Sequence, residues 1–238
     1  MKRSLLYIGI LFSAVSCGRN DHALQSGDLL FQAGESSDMT GAITAATGEN
    51  GRLNFSHVGI AVVKNGADSV LEATTNGGVR LTALPEFLAR SAKIGGRPAV
   101  VAMRLKDTAG VCEAVRRARS HLGLPYDYSF RPDNGKFYCS ELVWECYRTS
   151  DGSPIFTARP MNFRAEDGTL PQFWTELFAR RGESVPEGVP GTNPTTCRRR
   201  ERSAKYTAGS KRSARQSHRD SRAADRHSVL RRHSPWPG

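Results

Sequence analysis

Phe55-Ser56-His57-Val58-Gly59-Ile60 opens a strand with a histidine, and Phe137-Tyr138-Cys139-Ser140-Glu141-Leu142-Val143 opens a helix with a cysteine. A cysteine at a helix N-terminus meets the positive end of the macrodipole and free backbone N–H groups, which favour its thiolate. A histidine on a neighbouring strand can take the thiol proton and pair with the thiolate as imidazolium. The fold must then set a sheet strand against the start of a much later helix, with the histidine first in the chain. Cys139 is the candidate nucleophile, and its own backbone N–H is a candidate oxyanion donor. The plainer reading of Cys139 is a buried free cysteine, and of His57 a satisfied strand histidine.

Thiol catalysis needs a third polar group to orient the imidazole. Glu72 is the best candidate, because it interrupts the apolar run Val70-Leu71-Glu72-Ala73 on the strand next to that of His57. A charge there either serves the histidine or faces solvent. His121 is the rival histidine, but it sits at a helix C-terminus, where a cation is favoured anyway.

Four further stretches keep a fixed order around this pair. They are Ser26-Gly27-Asp28-Leu29-Leu30-Phe31, Val70-Leu71-Glu72-Ala73-Thr74, Gly123-Leu124-Pro125-Tyr126-Asp127 and Gly191-Thr192-Asn193-Pro194. With the His and Cys segments they resemble the permuted branch of the NlpC-type papain-like superfamily, the YiiX/YaeF group, over roughly residues 27–194. The resemblance implies a circularly permuted papain-like fold and cysteine hydrolase activity with His57, Glu72 and Cys139 as the catalytic set. It places Tyr126 at the substrate, either bringing its hydroxyl to the site or walling the cleft. Asp127 is expected to fix a loop, and Asp28 to serve a turn or strand edge.

The elements read as α+β, with helices packed on a small antiparallel sheet. Strand signals fall at Asp28–Gln32, His57–Lys64, Ser69–Thr74, Val79–Ala83 and Ala99–Leu105. Turn residues at 64–68 and 75–78 join the middle strands as a meander. Helices are expected at Met39–Thr47 behind a Ser37-Asp38 cap, and from Pro85 through Ala89. A third spans Val111–Leu122 with Arg116, Arg117 and Arg119 outward, and a fourth runs from Cys139 to about Arg148. Thr169 is expected to cap a fifth bearing Leu170, Phe173, Trp174 and Leu177.

Composition divides the chain. Residues 1–17 carry Lys2 and Arg3, then an apolar run from Leu5 to Val15, too short to span a bilayer comfortably. They read as an exported signal of lipoprotein type, with Cys17 acylated and 18–26 as a polar tether; the plainer reading is a signal peptide cleaved nearby. The domain is expected at 27–195. Residues 196–238 hold 13 Lys and Arg against three acids, so +10 of the net charge of +11 lies there. A segment so poor in large apolar residues cannot build a core and reads as disordered or as a read-through end of the gene. In an exported protein, nucleic acid is not its expected partner.

Five cysteines show no metal-site spacing, and neither a metal nor another cofactor is expected. Cys112 and Cys146 are expected to be buried small hydrophobes, with Cys197 in the tail. The leading function is hydrolysis of an amide through an acyl-enzyme in the cell envelope, with a peptide such as a peptidoglycan stem as partner and the membrane reached through the lipid anchor. The first alternative is acyl transfer or lipid hydrolysis resembling lecithin–retinol acyltransferase. The second is a binding domain without catalysis. A polar slot in the cleft would favour peptides, and a long apolar channel would favour acyl chains.

Overall fold

The computed structural model describes residues 23–48, 53–64, 67–199 and 206–207. The signal 1–17 with Cys17, most of the tether, the centre of the 64–68 turn and most of the basic tail lie outside the described residues.

The sheet strands are β1 (Leu29–Gln32), β2 (His57–Val62), β3 (Ser69–Thr74) and β4 (Gly78–Ala83). A small hairpin of β5 (Lys93–Ile94) and β6 (Arg97–Pro98) leads into β7 (Val100–Met103). Another two-stranded piece joins β8 (Arg159–Pro160) to β9 (Pro190–Gly191). With β10 (Tyr206–Thr207), the main sheet among the described residues is antiparallel in the order β10-β7-β1-β2-β3-β4. The expected meander is β1 to β4, and β7 returns to the free side of β1.

Strand alternation gives the sheet two apolar faces. Leu29, Phe31, Ile60 and Leu71 pack with Ala114 and Ala118 of α3 (Val111–Ser120) and with Leu142 and Val143 of α4 (Cys139–Cys146). Leu30, Ala61 and Val70 pack with Phe87 of α2 (Leu84–Ala89). A separate aromatic core gathers α1 (Asp38–Thr47) and α5 (Gln172–Arg181) around Phe130, Phe163 and Trp174. Each fully buried large apolar side chain contributes roughly 1.5–3 kcal/mol. Ser37 caps α1 as expected, accepting from Thr40 N at 3.1 Å.

Three local expectations are corrected. Cys112 is exposed, because the buried face of α3 is set by Ala114 and Ala118, about two residues out of phase with it. Arg117 turns inward on the same helix, and its Nε donates to the Cys146 carbonyl at 2.8 Å. Thr169 does not cap α5. It bonds Asp167 at 2.6 Å in a turn, and Pro171 stands at the helix entry instead.

The domain boundary also moves. Pro194 opens α6 (Pro194–Arg199), where Asn193 and Thr196 cap each other reciprocally: Asn193 N donates to Thr196 Oγ1 at 3.0 Å and Thr196 N to Asn193 Oδ1 at 2.8 Å. Cys197 is 1% exposed in the main core, and the Arg198 guanidinium lies 4.8 Å from the Phe55 ring centroid. The packed chain therefore runs past 195. The basic composition begins inside a helix whose apolar face is a cysteine.

Candidate active site

Cys139 occupies the first position of α4, and three contacts fix that end. Glu141 Oε2 accepts from Tyr138 N at 3.3 Å. Ser140 Oγ donates to the Thr192 carbonyl at 3.0 Å, and Thr192 N donates to Tyr138 Oη at 3.1 Å. The Gly191–Pro194 motif thus clamps the residues on either side of the cysteine. Burial pushes the Glu141 carboxyl up to about 8, against the help of the Tyr138 N–H.

His57 begins β2, and Glu72 sits on β3 on the same face. His57 Nε2 lies 2.6 Å from Glu72 Oε2, which leaves Nδ1 for the hydrogen bond with Cys139. Burial alone would lower the basicity of His57. The bonds to Cys139 and Glu72 and their charges outweigh it and hold the group up to about 10. Glu72 is fully buried. Burial would raise its carboxyl, but His57, Thr82 and Arg90 bring it down to about 2. Its second oxygen accepts from Thr82 Oγ1 at 2.6 Å and from Arg90 Nη2. Phe87 of α2 lines the site, its ring centroid 5.9 Å from that of His57, and Gln32 Nε2 donates to its carbonyl at 2.6 Å. A Cβ on Gly59 would stand 2.4 Å from Val70 Cγ1 and 3.4 Å from Glu72 Cβ, so glycine there lets β3 approach.

The structure therefore brings Cys139, His57 and Glu72 together. Two residues that sequence reasoning missed, Thr82 and Arg90, complete the surroundings of Glu72. The available signal was weak: Thr82 shares a strand face with Arg80, and Arg90 follows the last turn of a short helix.

Tyr126 lies in the wall of the cleft beside Cys139. Burial and then the Cys139 charge push its hydroxyl well above the usual phenol range. Its loop is tied to β4, where Gly78 at φ 64° has no room for a Cβ, 2.1 Å from the Leu124 carbonyl oxygen. Asp127 fixes the loop as expected, accepting from Ser129 N at 2.8 Å and Arg131 N at 3.0 Å. Phe130 then takes φ 52°, costly for a non-glycine residue. That turn puts its ring 5.3 Å from Tyr138 and 5.4 Å from Trp174. Asp28 serves the strand edge through a fork with Arg104 at 2.7 and 2.8 Å.

A small pocket opens at Cys139, lined mainly by apolar side chains that include Ile43, Tyr126, Phe130, Met161, Phe163 and Trp174. Trp174 Nε1 is buried with no partner among the described residues.

Residues 23–204 match the family described as permuted papain-like amidase enzymes, YaeF/YiiX, the C92 family. The chain belongs to that family. It is similar to the uncharacterized protein YiiX of Escherichia coli (strain K12), 30% identical over 189 residues, 78% of this chain and 86% of the relative. It is also similar to the crystal structure of metalloprotein yiiX from Escherichia coli O157:H7, with TM-score 0.58 and 28% identity, covering 72% of this chain and 90% of that one. The family is one of papain-like cysteine hydrolases, so the chain is a cysteine hydrolase on the permuted papain-like fold.

Proposed function

We propose that Cys139, His57 and Glu72 catalyse amide hydrolysis through an acyl-enzyme. The 2.6 Å contact between His57 Nε2 and Glu72 Oε2, with the other ring nitrogen on Cys139, carries the reading. The thiolate sulfur attacks the amide carbonyl carbon, and the carbonyl π electrons move to oxygen. The Cys139 backbone N–H receives the oxyanion, and the Tyr126 hydroxyl is the candidate second donor from the same pocket. Collapse breaks the C–N bond, and the amine leaves with the imidazolium proton. Water, deprotonated by the neutral imidazole, then opens the thioester and returns the thiolate. Glu72 holds the ring orientation and balances the imidazolium throughout.

Export supplies a setting for this chemistry. The apolar run Leu5–Val15 ahead of Cys17 supports a lipid-anchored envelope protein, and peptidoglycan stem peptides are then amides within reach. No helix among the described residues is long and apolar enough to cross a membrane. The apolar lining at Cys139 favours a second substrate reading, in which the acyl group is a hydrocarbon chain and the enzyme cleaves or transfers lipid acyl groups. Trp174 Nε1 would give such a ligand one hydrogen-bond donor.

One solved relative is described as a metalloprotein. Among the described residues no group of three or more His, Cys, Asp or Glu is placed to hold an ion, and both Glu72 oxygens are engaged. Among the described residues the donor set does not fit a resident metal, and no step is routed through one. The test is turnover of a panel of peptidoglycan fragments, N-acyl amides and lipid esters by the wild type and Cys139→Ala. Turnover lost in the variant supports the thiol mechanism, and the substrate class turned over separates the two readings. Turnover by Cys139→Ala equal to wild type overturns the mechanism.

A further inference from the structure

We propose that Thr82 and Arg90 are positioning residues of the site, which lock the Glu72 carboxylate in the one rotamer that serves His57 and complete an alternating row of charges. The inference rests on the catalytic reading of His57 and Cys139 given above.

The carboxylate has two oxygens and a single task. One oxygen must face His57 Nε2, and Oε2 does so at 2.6 Å. Nothing in a glutamate on a strand enforces that orientation, since the carboxylate plane can turn about the last bond and carry both oxygens away from the ring. Thr82 Oγ1 at 2.6 Å and Arg90 Nη2 both engage Oε1, so turning the plane away from His57 would also break two charge-assisted hydrogen bonds. Thr82 is 1% exposed and sits on β4, the neighbour of β3, so the donor is as fixed as the sheet. Arg90 comes from the end of α2, where its guanidinium lies 5.9 Å from the Phe87 ring centroid. Phe87 packs on the His57 ring as well, so one helix seats both the imidazole and the cation behind its partner.

Charge gives the second argument. In the active form the row reads thiolate, imidazolium, carboxylate, guanidinium, from Cys139 through His57 and Glu72 to Arg90. Each inner charge has an opposite charge on both sides, and the row is neutral. Without Arg90 a buried site would hold a net negative charge, which is costly. The other charged group nearest Glu72 is Arg80, directly opposite it on β4, and Arg80 is turned away to Glu86 Oε1 at 3.4 Å and the Asn76 carbonyl at 3.4 Å. Tyr126 faces the Cys139 end of the row as an uncharged hydroxyl.

The test needs no substrate. The rate of Cys139 alkylation by iodoacetamide is followed across pH in the full chain, by mass mapping, for wild type, Thr82→Val, Thr82→Ser, Arg90→Met and Arg90→Lys. In Thr82→Val and Arg90→Met the acid limb of the Cys139 rate should move up by about one pH unit, a tenfold loss of rate on that limb. Thr82→Ser should restore the wild-type limb, and Arg90→Lys should restore part of it, since lysine keeps the charge without the fork. A residue that only stabilised the fold would lower the melting temperature and leave the limb in place. Should Thr82→Val fail to fold, the Arg90 pair decides, since the Arg90 side chain is 40% exposed and is tolerant of change. A limb identical to wild type in folded Arg90→Met, with Thr82→Val also unchanged where it folds, overturns the proposal. If wild-type Cys139 shows no His57-dependent reactivity, the thiol mechanism itself has failed, which is a different result.

Discussion

Tyr138 Oη accepts from Thr192 N at 3.1 Å, and that bond joins the residue before the nucleophile to the last motif of the domain. Helix α4 is thereby held at its first turn from outside itself.

Glu72→Gln should fold and lose turnover by about 10²–10⁴-fold, the usual worth of a positioned acid–base partner. The pH profile gives a second reading. The His57 group is held up to about 10 by Cys139 and Glu72 against burial, so the imidazolium persists at high pH and is lost as pH rises through that value. Removing the carboxylate removes part of the support. The alkaline limb should move to lower pH, and a limb that stays in place would show that another group orients His57.

Alkylation in the native state should label Cys139 and Cys112 and spare Cys146 and Cys197. Cys112 is exposed, whereas the other pair is buried, and burial pushes the Cys146 thiol up to about 12. Burial pushes Cys197 up as well. His57→Ala should slow labelling of Cys139 and leave Cys112 unchanged. Native labelling of Cys197 would contradict the packing of α6.

Glu141 should make stability fall with rising pH. Its carboxyl is pushed by burial to about 8, above the ordinary 4.5, so between those values the folded chain holds a proton that the unfolded chain releases. Ionisation in the fold is therefore penalised as pH rises through this window. Glu141→Gln should melt higher than wild type at pH 8–9 and no higher at pH 5. Equal melting temperatures at both pH values would place the charge comfortably at the helix start.

Truncation separates the domain from its basic extension. Ending the chain after Thr195 removes buried Cys197, the Asn193–Thr196 cap and the Arg198–Phe55 contact, and should lower the melting temperature by about 2–4 °C per kcal/mol lost. Ending it after Thr207 should leave the melting temperature unchanged, since residues 208–238 are rich in Arg and Ser and offer little apolar surface. Equal losses for both would mean that the extension packs on the domain.

His57, Cys139 and Glu72 were legible in sequence because local rules place them: a strand opening, a helix opening and a charge inside an apolar run. The α+β class followed from the same alternation. Thr82 and Arg90 were not legible, because their partner is chosen by the register of β3 on β4 and by the seat of α2, both long-range. Cys112 was misplaced because it sits beside Val111 in the chain but off the buried face of α3, which Ala114 and Ala118 set. The end of the domain was hidden because charge density changes inside α6, where a single buried cysteine outweighs its basic neighbours.

The clamp from Thr192 to the helix start has a consequence in time. His57 comes first in the chain, Cys139 later and the Gly191–Pro194 strap later still, so the Ser140–Thr192 bond that helps to seat the thiol waits for a residue 52 positions further on. A chain interrupted before that point carries its nucleophile unseated.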